Sequence, residues 1–296
     1  MVTPTPISLG TWPTPVEPAP RLAAALGLQE LWIKRDDLTG LGGGGNKVRK
    51  LQYTCAEALA AGATTLITTG VLQSNHARLT AAAAARLGLR CVLVQAGREP
   101  MIPRGNLLLD QLAGAEIVWA GAEPPAKVAQ AEAEARPGSH LIPFGGSAQV
   151  SVAAYVDCAR ELTAQVPEFD CVVVAVGSGA TMAGLVRELG PERVLGVDTG
   201  AVPDPYAAVT DLLGERPELT IDRSQIGLGY PAVTEPVREA LKLAARTEGI
   251  FLDPTYTGRA LAGLIARTAP VGLKREGRMV FLHTGGLPGL FGHPDM

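Results

Sequence analysis

The sequence predicts a doubly wound α/β protein with mainly parallel sheets, and three observations lead there. Short apolar runs rich in β-branched residues alternate with stretches of helical periodicity. The runs are nearly continuous in apolar character rather than alternating, the pattern of strands covered on both faces. The least ordinary glycine and polar sequences each begin where such a run ends, which is the side of an open α/β sheet where ligands sit.

In chain order, the first twenty residues, "MVTPTPISLGTWPTPVEPAP", are proline-rich and read as an extended arm over the surface. "LWIKRD" (31–36) is the first strand-like run, and after a glycine-rich loop helical periodicity spans 48–61. "TLITTG" (65–70) leads into "QSNHARLT" and a helical pattern over 74–87. "CVLVQAG" (91–97), "EIVWA" (116–120) and "HLIPFG" (140–145) follow as strands, then a helical stretch over 150–165. "CVVVAVGSG" (171–179) runs into a glycine turn and a helix, and "RVLGVDTG" (193–200) repeats the strand pattern. A helical stretch at 235–247 and the strand "RMVFLHTGG" (278–286) complete the series. The loops after 65–70, 171–176 and 278–282, together with the glycine-rich loop, can converge on one cleft.

The 296 residues are 47% hydrophobic and 19% charged, with a net charge of -3, enough for one large domain or two modest ones. The balance and the lack of a long basic run argue against nucleic acid as a partner. No apolar stretch approaches the ~20 residues of a membrane helix; the alanine run 81–85 is flanked by Arg78 and Arg86 and reads as a packed helix. The first residues have neither the charged nor the apolar segment of a secretory signal. Cys55, Cys91, Cys158 and Cys171 lack metal-ligand spacing and read as reduced core thiols of a cytoplasmic protein, with no metal site.

Four consecutive glycines stand before Asn46 and Lys47 in "TGLGGGGNKVRK" (39–50). Each adds entropy that folding must remove, so the backbone there turns sharply or approaches something closely. A linker, an anion-cradling loop and a hinge beside a reactive lysine all remain open. A Walker loop does not, because Val48 stands where its hydroxyl residue belongs. In "GSGATMAG" (177–184) a strand enters a glycine turn and a helix, a site where backbone N–H groups hold phosphate. Asp198 ends the next strand at the distance of a ribose-binding acid, but a dinucleotide fingerprint needs glycine at Met182. The Ser178 and Thr181 hydroxyls suit a terminal phosphomonoester better. Ser74 or Asn75 can cap the helix that follows, and the same N-terminus can bind a carboxylate. His76 in that first turn is by itself uninformative.

Taken together, "GGNKVRKL", "QSNHARLTAAAAARLGL", "GSGATMAGL", "LDPTYTGRALAGL" and "HTGGLPGLFG" resemble the pyridoxal-phosphate enzymes that include D-cysteine desulfhydrase and 1-aminocyclopropane-1-carboxylate deaminase. The resemblance covers nearly the whole chain. It implies the fold of the tryptophan synthase β subunit (fold type II), with a large cofactor domain of residues 1–47 and 159–296, a smaller inserted domain of 48–158, and a homodimer. Lys47 would carry pyridoxal 5'-phosphate covalently, the glycine loop would pass close to its ring, and Lys50 would contact its phosphate. Gly177, Ser178, Gly179, Ala180 and Thr181 would form the phosphate cradle. Glycine is commoner at Ala180 in this family, so the methyl group requires a negative φ. Asn75 would bond the phenolate oxygen, and Ser74, Asn75 and His76 would receive the carboxylate of a small amino-acid substrate. Tyr230 and Tyr256 match the two active-site tyrosines, and Thr284 would lie near the pyridine nitrogen. Thr257 and Thr284 replace a glutamate and a leucine of the deaminase; without that carboxylate the electron sink is weaker, which implies β-elimination from D-cysteine. Cyclopropane opening, elimination from L-cysteate and a nicotinamide-dependent oxidoreductase are the alternatives.

Overall fold

The structure, a computed structural model, describes residues 4–268 and 277–296; the first three residues of the arm lie outside these. Its elements run β1 (Val16–Pro18), α1 (Pro20–Leu26), β2 (Glu30–Arg35), α2 (Lys47–Ala60), β3 (Thr65–Gly70), α3 (Asn75–Leu87) and β4 (Arg90–Gln95). Next come α4 (Gly105–Leu112), β5 (Glu116–Trp119), α5 (Pro125–Glu134), β6 (Ser139–Leu141), α6 (Gln149–Gln165), β7 (Cys171–Val176) and α7 (Ala180–Leu189). The chain ends with β8 (Val194–Asp198), α8 (Pro205–Leu213), β9 (Thr220–Asp222), α9 (Glu235–Glu248), α10 (Thr257–Thr268), β10 (Arg278–His283) and α11 (Leu287–Gly292).

These strands form two sheets. The larger has the order β1-β2-β10-β7-β8-β9 and is parallel except for the antiparallel β1–β2 pair. The smaller, β5-β4-β3-β6, is wholly parallel. The chain leaves the larger sheet after β2, builds the smaller one, and returns at β7. Strand β7 is apolar throughout because both its faces are covered. Val172, Val174 and Val176 pack toward α6 and α7, and Val173 and Ala175 toward α9 and α10. Each sheet reverses its winding at one strand, β7 in the larger and β3 in the smaller. The carboxyl ends of these two strands are the places where a doubly wound fold leaves a crevice.

The arm departs from the sequence reading in one respect. The arm is not wholly superficial, since Leu9 and Thr14 are fully buried and Val16–Pro18 pairs with Trp32–Lys34. Residue 158 falls inside α6, whose apolar face from Val152 onward joins the core of the larger sheet. Cys55, Cys91 and Cys158 are buried, Cys171 is partly so, and all four are free thiols.

Candidate active site

The glycine loop explains itself once its neighbours are known. Gly42, Gly43, Gly44 and Gly45 all have positive φ, 53°, 84°, 75° and 130°, which L side chains rarely adopt. A β-carbon at Gly44 would run into the carbonyl of Asp37, and one at Gly42 would come within 2.6 Å of Ala82. The close approach is therefore to the protein's own backbone and to α3. The loop ends by threading past Gly285, and Asn46 N–H donates to Thr284 O at 2.9 Å. Helix α2 then starts at Lys47 with its side chain at the wall of a cavity of about 210 Å³.

That cavity collects Lys47, Lys50, Ser74, Asn75, His76, Gly177, Ser178, Gly179, Thr181, Tyr230, Tyr256 and Thr284. They come from the carboxyl ends of β3, β7 and β10, from α2, and from the loops before α9 and α10. Two expected residues do not line it. Ala180 is fully buried in the first turn of α7, where its φ is negative as its methyl group requires. Thr257 is also fully buried, with its hydroxyl donating to Asp253 Oδ1 at 2.7 Å. The Asp253 carboxylate accepts N–H bonds from Thr255, Tyr256 and Thr257 at the start of α10, and this helix cap holds Thr257 behind the wall.

The site gathers buried basic groups. Burial depresses the Lys47 ammonium to about 8, against a hydrogen bond with Lys50 that favours its charge. Lys50 falls well below its ordinary range, through burial first and then the charge of Lys47. Among the described residues, neither amine has an acidic partner within salt-bridge distance. His76 is likewise driven down by burial and by both lysines, so it is neutral. Its tautomer follows from its neighbour: Thr68 donates its one hydroxyl hydrogen to Ile142 O at 2.9 Å and so accepts from His76 Nε2 at 3.0 Å. His76 Nδ1 is left as an unpaired buried acceptor.

On the larger sheet, Gly179 has φ 93° and packs so tightly that a β-carbon would lie 2.7 Å from Ala208 O. Helix α7 therefore begins abruptly, with the unpaired N–H groups of its first turn at the cavity. Thr181 Oγ1 accepts from Asn46 Nδ2 at 3.2 Å, leaving its hydrogen free, and Ser178 Oγ lies 2.7 Å from Ser147 Oγ. Opposite, the Tyr230 and Tyr256 hydroxyls are 2.7 Å apart. Burial raises both, with Tyr256 the more strongly affected, so the pair stays protonated near neutrality. Ser74 caps α3, accepting from Ala77 N at 3.1 Å. Asp198 is fully buried, accepts from Gly200 N at 2.8 Å and pairs with Arg223, so its carboxylate is committed within the fold.

A family model described as pyridoxal-phosphate dependent enzyme matches residues 7–285. The chain belongs to this family. It is 41% identical to D-cysteine desulfhydrase of Klebsiella pneumoniae (strain 342) over an alignment of 314 positions, covering 96% of this chain and 95% of the relative. Among solved structures it is similar to a homologue of ACC deaminase, with a TM-score of 0.86, 36% identity, and coverage of 99% of this chain and 94% of that one. A threonine deaminase from T.th. shares the fold, with a TM-score of 0.71 at 24% identity and 92% coverage of each chain. The enzyme is thus a fold type II α/β protein and its cofactor is pyridoxal 5'-phosphate. The nicotinamide alternative is overturned by this family match and by the committed carboxylate of Asp198.

The residues present fit that cofactor. Two buried amines with no acidic partner among the described residues call for an anion, and the turn 177–181 offers backbone donors and hydroxyls beside them. Asn46, Ser147 and Phe144 also border or support this region and were not singled out from sequence. The signal for the last two was present: "PFGGSAQ" is a glycine and polar loop that follows a strand, like the other loops that carry the site.

Proposed function

We propose that the enzyme is a lyase that catalyses β-elimination, converting D-cysteine and water to pyruvate, hydrogen sulfide and ammonia. The observation that carries this reading is the charge of the cavity wall. Among the described residues no aspartate or glutamate lines it, and by the family resemblance the hydroxyl of Thr284 would lie near the pyridine nitrogen. A hydroxyl cannot neutralise a protonated ring as a carboxylate would, so the sink suffices to expel a thiolate but is weak for opening a cyclopropane. With Thr257 behind the wall, this rests on Thr284 and on the absence of an acid, not on a pair of threonines. The 41% identity to a D-cysteine desulfhydrase supports the same substrate.

Bound pyridoxal phosphate withdraws electrons from the α-carbon of an amino acid and makes its hydrogen removable. Lys47 would anchor the cofactor and would be the group that accepts the substrate's α-proton; an amine near 8 suits that task at neutral pH. Lys50, the Ser178 and Thr181 hydroxyls and the N–H groups of the turn 177–181 hold the phosphate. Asn75 donates to the phenolate oxygen. Ser74 and the N-terminus of α3 orient the substrate carboxylate. The hydrogen-bonded Tyr230 and Tyr256 supply the proton that the leaving sulfur takes up at Cβ.

In the same reading the sheets act as two domains, residues 1–47 with 159–296 and residues 48–158, and the enzyme works in the cytoplasm as a homodimer. Ile102, Leu108, Leu112 and Phe291 are exposed around α4 and the α11 that packs on it, apolar surface that a second copy would cover. No described helix is long and apolar enough to cross a membrane. Sedimentation tests the assembly. For the reaction, D-cysteine, L-cysteine, L-cysteate and 1-aminocyclopropane-1-carboxylate are offered in parallel, with D-cysteine expected to give the highest kcat/KM. Preference for L-cysteate would leave elimination standing and remove the substrate; preference for the cyclopropane would overturn the reading of the wall.

A further inference from the structure

Asn75 sits at the cavity with its two amide hydrogens unassigned, and a fully buried neighbour decides which way they point. Asn106, near the start of α4, receives Arg78 Nε at 2.8 Å and faces the carbonyl of Gln73 at 3.0 Å. Arginine only donates and a carbonyl only accepts, so these two fix the Asn106 amide, oxygen toward Arg78 and nitrogen toward Gln73. The second hydrogen of that nitrogen meets the Asn75 side chain at 3.0 Å. The Asn75 atom there must then be its oxygen, and Arg78 Nη2 adds a longer contact to the same atom at 3.4 Å. With the oxygen held, the Asn75 nitrogen donates to no atom of the described residues and is presented to the cavity. The guanidinium of Arg78 also donates to the carbonyls of Gly42 and Gly44, so the loop that delivers Lys47 is tied to the same network.

We propose that Asn106 is a positioning residue for cofactor binding. By fixing the amide of Asn75 with its oxygen turned away, it makes Asn75 an obligate donor toward the anionic oxygen of the cofactor ring. This rests on the assignment of Asn75 to the phenolate oxygen made above. The alternative rotamer would present an acceptor to an anion, so the orientation decides the sign of the interaction.

The test is a double-mutant cycle on cofactor affinity, measured by titrating the cofactor-free protein with pyridoxal phosphate and following absorbance and quenching of intrinsic fluorescence. Far-UV circular dichroism checks each variant's fold. Asn75→Ala is expected to weaken binding by roughly ten- to a hundredfold, the range of one hydrogen bond to a charged acceptor. Asn106→Ala should lose nearly as much, and the double variant no more than Asn75→Ala alone. Asn106→Asp keeps the pairing with Arg78 but turns an acceptor toward Asn75, so it should bind the cofactor no better than Asn106→Ala; it also replaces the alanine variant should that one fail to fold. Additive losses, or cofactor affinity within twofold of the unmodified protein in Asn106→Asp, would overturn the proposal. A normal affinity in Asn75→Ala would instead sink the assignment it rests on, and the proposal with it.

Discussion

Helix α2 carries buried basic side chains on two faces, and the protein treats them in opposite ways. Arg49 points to a closed cluster in which its guanidinium donates to both oxygens of Asp36 and to Glu161, with Lys34, Tyr155 and Thr14 completing the set. Burial alone would raise the Asp36 carboxyl, but the charge and hydrogen bonds of Arg49, then the Tyr155 hydroxyl, hold it below the usual range. Lys47 and Lys50 face the cavity, and no acid among the described residues lies on its wall. One cluster is satisfied from within, and the other is left for an anion that the protein does not itself supply. Charges that maintain the fold find partners during folding; charges that bind remain costly until the ligand arrives.

The largest expected effect is on the open side. Lys47→Ala should remove the covalent link and the base together and lower turnover by about a thousandfold or more. Borohydride reduction and peptide mapping check the assignment, and label on another lysine would sink it. On the closed side, Arg49→Met should destabilise the protein by about 3–5 kcal/mol, because it strands buried carboxylates. Urea unfolding measures it, and a loss confined to cofactor affinity would erase the distinction between the faces.

Smaller effects sharpen the contrast. Lys50→Met should weaken cofactor binding by roughly tenfold or more while raising the melting temperature of the cofactor-free protein, since it removes a buried amine that has no acidic partner among the described residues. Opposite signs in the two assays are the signature of a cation kept for a ligand. Replacing Ser178 and Thr181 by alanine should weaken cofactor retention in dialysis and leave the circular dichroism spectrum unchanged.

Asp110, on α4, lies between these cases. Burial raises its carboxyl to about 7, with the charge of Arg78 opposing. The Gln95 amide is best oriented with its nitrogen toward Val71 O and Gly70 O, at 2.9 and 3.1 Å. Its oxygen then faces Asp110 Oδ2, which favours the protonated acid. A carboxyl raised on folding stabilises the protein below its unfolded pKa, and that contribution is lost as pH rises through the folded value. Stability should therefore fall between about pH 4 and pH 7, and Asp110→Asn should flatten the decline. A parallel decline in the variant would remove Asp110 as its source.

Much of the fold was legible because periodicity is local. The helices expected at 48–61, 74–87, 150–165 and 235–247 appear as Lys47–Ala60, Asn75–Leu87, Gln149–Gln165 and Glu235–Glu248. The three-residue strands β1 and β9 were not foreseen, since so short a segment has no period and is a strand only through its pairing with β2 and β8. The candidate site was legible for a related reason. The carboxyl ends of parallel strands are where such sheets leave a crevice, so loops of odd composition after strands mark the site in the sequence itself.

By itself, the sequence determined the alternation of strands and helices, the loops that end them and, through its family resemblance, the cofactor. Only the tertiary structure decided what each side chain has left over after its neighbours are served. Thr257 has nothing left, because Asp253 takes its hydroxyl in capping α10. Asn75 keeps its donors because Asn106 takes its oxygen. Lys50 keeps its need for an anion because no acid among the described residues shares its wall, while Arg49, one residue earlier, has four carboxylate oxygens within 3.0 Å. A hydrogen bond or an ion pair depends on which groups meet across distant segments, and spacing along the chain does not carry that information.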